Sequence, residues 1–358
     1  MSRDDLNAAE ATTAVKGQCS PQAARSARGD ARPTIICHAN GIRTLKWRER
    51  HATPAPELIS ALISITMLPM ALAAAPVSGD AVIRAPAGGS EIVIKTTSRM
   101  AGAIESLQWG GQEFIDNADH GRELQTCWNG NAGIEPIADE TFNPTEAGSL
   151  DDGASTNSSS RLLEIKAHGN QLETYSQPAF WLNPGETSGG KPARNKTILS
   201  NDHLRKRVVI GGTNLPHAID YQVTVSLAAG DGNTRCVIEA LTGYMPAEFD
   251  QFQVLDPKTG QLAPVDDGPG EQARPLVFST ADGKYAMGVF SREAEAPRDS
   301  HGPTYGRWRM KDFRVVKWNC VFRLQDTNGL SGDYNCHVFV AVGSREEVRA
   351  TLVALQKM

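Results

Sequence analysis

Apolar side chains recur at every second position over long stretches of this chain. Ile219, Tyr221, Val223, Val225 and Leu227 alternate with Asp220, Gln222, Thr224 and Ser226. Successive side chains of a strand point to opposite faces, so such a run has one face for a core and one for water. A helix would scatter the same residues around its circumference. Val316, Trp318, Cys320, Phe322 and Leu324 repeat the pattern, as do Tyr334, Cys336, Val338, Val340 and Val342. Asp282-Gly283 separates Pro275–Thr280 from Tyr285–Phe290, a hairpin signal, and Asn328-Gly329 divides the last two long strands with a longer loop. The 33 glycines and 20 prolines supply the turns between strands. About a dozen strands at short spacing predict an all-β fold, a large antiparallel β-sandwich.

One helix is expected, at the C-terminus. Ser344-x-x-Glu347 has the form of a capping box, in which hydroxyl and carboxylate satisfy orphan N–H groups reciprocally. Val348, Thr351, Leu352 and Leu355 then fall at i, i+3, i+4 and i+7, one stripe for packing on a sheet.

The N-terminal part obeys different rules. Leu58 to Leu72 is an apolar run of 15 residues that ends at Ala73-Ala74-Ala75 and follows Arg43, Lys46, Arg48 and Arg50. A charged segment, an apolar segment and a small-residue exit are the layout of a secretory signal peptide, here over 58–75. A membrane-spanning helix needs ~20 residues, and Pro69 interrupts this shorter run, so stable membrane insertion is not expected. Residues 1–57 carry no sustained period and read as a disordered leader, or as sequence upstream of the true start codon. The working protein then starts near Pro76, is secreted or periplasmic, and forms a single β-sandwich domain over 80–358.

Net charge is only -5, and Arg205-Lys206-Arg207 is the sole basic run after the signal, which argues against nucleic acid as a partner. Cys127, Cys236, Cys320 and Cys336 follow the signal. In an oxidising compartment they allow up to two disulfides, in three connectivities that spacing does not rank. No CxxC pair or Cys/His cluster has zinc spacing, so no metal or other cofactor is expected, calcium in an acidic loop being the alternative. Gly-x-Ser-x-Gly, Walker, Rossmann and His-Glu-x-x-His signatures are absent, which argues against serine hydrolase, nucleotide and zincin chemistry.

The segment AGAIESLQWGGQEFIDNADHGRELQ, residues 101–125, reads as a short hairpin around Gly110-Gly111 followed by polar residues. It resembles the opening of galactose-mutarotase-like β-supersandwich proteins, a class that holds sugar epimerases, glycoside hydrolase domains and polysaccharide lyase domains. The resemblance covers about 25 residues, and implies a carbohydrate partner rather than one reaction. Within it, His120 and Arg122 flank a glycine and on a strand would share a face. A neutral imidazole moves protons near neutral pH, and a guanidinium grips a carboxylate or hydroxyl. The alternative is that both pair with local acids such as Asp116 or Asp119.

Two further groups are acidic. Glu140–Gly153 carries Glu140, Glu146, Asp151 and Asp152 in a loop punctuated by Pro and Gly. Glycosidic cleavage needs two carboxylates, ~5–5.5 Å apart for retention and ~6.5–9.5 Å for inversion. A calcium loop and a solvated surface loop are the other readings. Asp266–Gln272 is a tight turn that leads Glu271 and Gln272 into the next strand, where they suit hydroxyl recognition. Among aromatics, Trp318 belongs to a core run, whereas Trp128, Trp181, Tyr305 and Trp308 are candidates to stack on sugar rings. The Arg298–Arg309 stretch reads as a lid-like loop.

These observations predict a secreted glycoside hydrolase acting on a poly- or oligosaccharide. Its catalytic candidates are Glu146, Glu271, His120 and Asp151, and its substrate-binding candidates are Arg122, Trp128, Trp181, Tyr305, Trp308 and Gln272. The alternatives are a lyase on a uronate polymer with His120 or Tyr305 as base, a sugar epimerase, and a non-catalytic exported glycan-binding protein.

Overall fold

The computed structural model describes residues 77–138 and 140–358; the leader and signal-peptide readings lie outside them. The described chain is an all-β sandwich with a C-terminal helix. One sheet has nine strands, in spatial order Leu262–Pro264, Gln251–Leu255, Leu276–Ser279, Ala286–Phe290, Gly332–Gly343, Ala218–Leu227, His203–Ile210, Gln171–Gln177 and Arg161–His168. A second has seven: Gly270–Gln272, Ser300–Met310, Val315–Gln325, Arg235–Pro246, Gln125–Gly130, Pro144–Thr145 and Ala179–Phe180. A four-stranded meander, Ala81–Ala87, Ser90–Thr96, Ile104–Trp109 and Gln112–Glu113, precedes both.

The alternating runs supply the core. Tyr221, Val223 and Val225 from the nine-stranded sheet and Val316, Trp318 and Phe322 from the seven-stranded one belong to a single buried apolar cluster. Each such side chain contributes about 1.5–3 kcal/mol on burial. The hairpin across Asp282-Gly283 forms as expected, pairing Leu276–Ser279 with Ala286–Phe290.

Asn328-Gly329 divides Val315–Gln325 from Gly332–Gly343 with a longer loop, as expected; those strands belong to different sheets, so the loop carries the chain across the sandwich. Two expectations are corrected. The supposed lid is a strand, Ser300–Met310, paired with Val315–Gln325; alternate burial of Tyr305 and Arg307 fits it to the sheet. No disulfide joins the four cysteines, all of which are buried. Cys236, Cys320 and Cys336 pack as small apolar groups in the core, and burial pushes their thiols well above the ordinary range.

The helix is Arg345–Gln356, and its capping box is present, with the Ser344 N–H donating to the Glu347 carboxylate at 2.8 Å. Val348, Leu352 and Leu355 bury against Val277, Ala286, Phe339 and Ala341. Those four alternate with core positions, so the helix covers the outer face of the nine-stranded sheet at that end. Close approach requires Gly288: a Cβ there would stand 2.8 Å from both Leu352 and Val348 side chains. Among the described residues no helix is long and apolar enough to cross a membrane.

Candidate functional site

The residues singled out from the sequence do not converge. His120 lies in a run of turns rather than on a strand, because Asp116 Oδ1 accepts from Ala118 N–H and Asp119 Oδ1 from Gly121 N–H. Its ring is buried, with each nitrogen 2.7 Å from a backbone carbonyl, of Gly153 and of Arg99. It ties two turns together and is closed off from a substrate. Arg122 is held by local acids: its Nε donates to Asp119 at 2.9 Å, and Asp116 lies 3.8 Å away.

Glu146 lies between the two sheets, ion-paired to Lys206 and accepting from the Thr126 N–H at 3.2 Å. Asp151 is exposed and accepts from Asn183 at 2.5 Å. Glu271 is forked by Arg323 through two 2.7 Å bonds and also accepts from Thr304. Burial raises its carboxyl, but those partners outweigh it and hold it below the ordinary value. Gln272 donates to the Arg274 carbonyl at 3.1 Å. Trp128 and Tyr305 are core residues. The Trp128 indole donates to Asp202 at 3.0 Å, and the Tyr305 hydroxyl accepts from the Ser291 N–H at 2.8 Å. Burial pushes the Tyr305 phenol well above its ordinary value, so it is no base near neutral pH.

A different set does converge, on the outer face of the seven-stranded sheet. There the alternation that buries Val316, Trp318 and Cys320 turns Lys317 and Asn319 outward. In the adjacent strand it turns out Glu239 and Tyr244, and in the next Gly306 and Trp308. Lys317 is paired directly opposite both Tyr244 and Trp308. Its ammonium lies 5.4 Å from the Tyr244 ring centroid and 5.2 Å from that of Trp308, within cation–π range. Glu239 Oε2 stands 3.8 Å from Lys317 Nζ, and the two side chains are only 15% and 8% exposed.

Two details make this more than a solvated sheet face. Glu239 Oε2 is buried and has no hydrogen-bond partner, a costly arrangement for a carboxylate oxygen. The strand's register also shifts just after Glu239, between Glu239 and Leu241 against Val315–Gln325 and between Glu239 and Thr242 against Gln125–Gly130, a device that re-aims side chains beside functional sites. Trp308 leans over Gly306, where any Cβ would collide with the indole, and Asn319 Oδ1 accepts from the Gly306 N–H at 3.0 Å.

Arg122 and Trp181 stand at one end of this face. The Asp116 N–H donates to the Tyr244 carbonyl at 2.8 Å, anchoring the loop that carries Arg122. The guanidinium lies 5.7 Å from the ring of Phe313, in the turn just beyond Trp308. Trp181 packs on Gly121, where a Cβ would stand 2.7 Å from the indole. Arg122 and Trp181 are thus the sequence candidates brought near one another, through Gly121. Glu239, Lys317, Asn319 and Tyr244 escaped notice, although polar residues at alternate positions of otherwise apolar strands mark one shared face.

The acidic Glu140–Gly153 loop spreads its carboxylates over different partners. Glu140 takes the Ser188 hydroxyl at 2.5 Å, and Asp152 takes the Ser149 N–H at 2.8 Å and the Ser159 hydroxyl at 2.7 Å. Among the described residues no three His, Cys, Asp or Glu side chains are grouped to hold a metal ion.

No family model and no curated protein sequence matches the chain. Solved structures do. It is similar to the Slr1438 protein from Synechocystis sp. PCC 6803, with 11% identity and a TM-score of 0.39 over 75% of this chain and 96% of that one. It is also similar to the alpha-galactosidase from Lactobacillus brevis, at 7% identity and a TM-score of 0.36, where 74% of this chain spans 40% of the enzyme. A Klebsiella pneumoniae protein described as an aldose 1-epimerase matches at 10% identity and a TM-score of 0.27, over 75% of this chain and 84% of its own. Likenesses this distant leave function to be argued from the residues themselves.

Proposed function

We propose that this chain is a carbohydrate-active protein that takes a saccharide on the outer face of the seven-stranded sheet, with Glu239 as its proton-transferring group. The observation that carries the reading is the Glu239 carboxylate, largely buried on an outward face with one oxygen lacking a hydrogen bond. A sugar hydroxyl supplies the missing donor. Trp308 and Tyr244 offer aromatic faces to the C–H side of a pyranose, and Asn319 and Arg122 offer polar groups to its hydroxyls. Lys317 is a cation placed to balance negative charge that develops when Glu239 removes a proton.

The set favours proton transfer, as in epimerisation or lyase chemistry, over two-carboxylate hydrolysis. Glu271 lies three strands from Glu239 in the same sheet. That is about 14 Å at ordinary strand spacing, beyond the ~5–9.5 Å of glycosidase pairs, and Arg323 already occupies it. The apolar run before residue 76 supports export, so we place the activity outside the cytoplasm, in a mature body that starts near Pro76.

The test compares the parent with Glu239→Gln on a panel of aldoses and polysaccharides. Anomer exchange is read by NMR, unsaturated uronates by absorbance, and new reducing ends colorimetrically. The expected result is turnover in one of the first two assays and a loss of about 10²–10⁴-fold in the variant. Turnover retained in Glu239→Gln, or reducing ends as the sole product, overturns the assignment. Saccharide binding without turnover in the parent would leave a binding protein and remove the catalytic role.

A further inference from the structure

The one basic run of the mature chain splits between two environments. Lys206 points into the sandwich and pairs with Glu146, while Arg205 and Arg207 point outward from the nine-stranded sheet. Positions two apart on a strand share a face about 7 Å apart. Arg205 stands between Tyr175 and Thr224 of the neighbouring strands, and Arg207 between Glu173 and Gln222. A shallow depression opens among them, lined by Glu173, Arg205, Arg207, Gln222 and Thr224.

The donors around it are braced but not consumed. The Arg205 guanidinium lies 4.0 Å from the Tyr175 ring centroid, which fixes its position while leaving its N–H edge to other partners. Arg207 meets Glu173 at 3.7 Å, an ion-pair distance too long for a hydrogen bond. The Gln222 amide donates to Asp220 at 3.1 Å and the Thr224 hydroxyl to Asn335 at 2.7 Å. Both therefore keep acceptor oxygens for a ligand's hydroxyl groups.

We propose that this depression is a second saccharide site, selective for an anionic sugar unit, in which Arg205 and Arg207 grip a carboxylate or sulfate and Gln222 and Thr224 accept sugar hydroxyls. Guanidinium forks match both anions in geometry. The site belongs to a different sheet from Glu239 and stands whether or not that residue is catalytic.

Affinity electrophoresis of the full chain through gels containing polygalacturonate, heparin or neutral dextran tests it. Polygalacturonate, heparin or both should retard the parent at low salt, and dextran should not retard it through this site. Retardation by polygalacturonate alone identifies a carboxylate ligand, and by heparin alone a sulfate. The Arg205→Ala/Arg207→Ala variant should bind at least about tenfold more weakly, and Glu173→Gln, which removes the competing carboxylate, at least as tightly as the parent. Lys284→Ala, which removes a single positive charge on a distant turn, should stay within about twofold. No retardation of the parent by either polyanion overturns the proposal. So does an unchanged double arginine variant, or an equal loss in Lys284→Ala.

Discussion

Two lysine–glutamate pairs, built from identical side chains, sit in different settings in this sandwich. Lys206 and Glu146 meet between the sheets, 0% and 1% exposed, and nearby groups satisfy them: Lys206 donates to the Gly102 carbonyl at 3.2 Å and Glu146 accepts from Thr126. Lys317 and Glu239 meet on an outer face, at a looser 3.8 Å, and leave a carboxylate oxygen unmatched. A buried pair whose hydrogen bonds close on themselves has nothing left for a ligand and belongs to the fold. The pair that leaves a buried acceptor open, with side chains 8% and 15% exposed, is the one we propose for saccharide handling. Closure of the local hydrogen bonds distinguishes the two; burial or residue type alone does not.

The first way to break this comparison is to remove one interior charge. Lys206→Ala strands Glu146 in the core and should cost about 3–5 kcal/mol, read as a shift in the urea midpoint. Replacing both partners, Lys206→Met with Glu146→Leu, should recover most of that loss. If the single variant unfolds at the parental midpoint, the interior pair is not structural.

On the outer face the expectation shifts. Lys317→Met should cost less stability than Lys206→Ala, about 1–3 kcal/mol, because the Glu239 carboxylate it leaves unpaired is 15% exposed where Glu146 is 1% exposed. It should lower turnover about 10²-fold, the scale of a lost charge-stabilising group. A large stability loss with saccharide handling intact would make the outer pair a second structural bridge. Trp308→Ala should act more mildly. Loss of one stacking face, worth about 0.5–1.5 kcal/mol, weakens saccharide binding up to about tenfold, as measured by titration calorimetry.

Strand period was legible in the sequence because burial acts on every second residue, and Val316, Trp318 and Cys320 declared it. The helix was legible for a related reason: Ser344, Glu347 and the Val348–Leu355 stripe are local signals. The site was mostly hidden. Glu239 and Lys317 lie on strands far apart in sequence, and only the register that sets Lys317 opposite Tyr244 and Trp308 brings them together. Glu146 shows the converse failure. Its acidic, Pro- and Gly-rich surroundings suggested an open loop, yet the Pro144–Thr145 strand delivers it into the core against a lysine some sixty positions on. Partner identity across the sandwich decides such cases, and it has no local signature.

A third charged group, intermediate in burial, sharpens the contrast with the smallest expected effect. His337 is held between two carboxylates: its Nε2 bonds Asp220 at 2.8 Å and its Nδ1 lies 2.7 Å from Glu295. Burial alone would lower its pKa, but Asp220 and Glu295 outweigh that and raise it above the ordinary imidazole value. The folded protein therefore binds this proton more tightly than the unfolded chain. The resulting stabilisation is complete below the unfolded pKa of about 6.5 and is lost as pH rises through the folded value. His337→Asn, compared with the parent by urea unfolding, should cost more at pH 5.5 than at pH 9. An equal cost at both values would show that the imidazole serves by shape, against the Phe339 ring 4.3 Å away, rather than by charge.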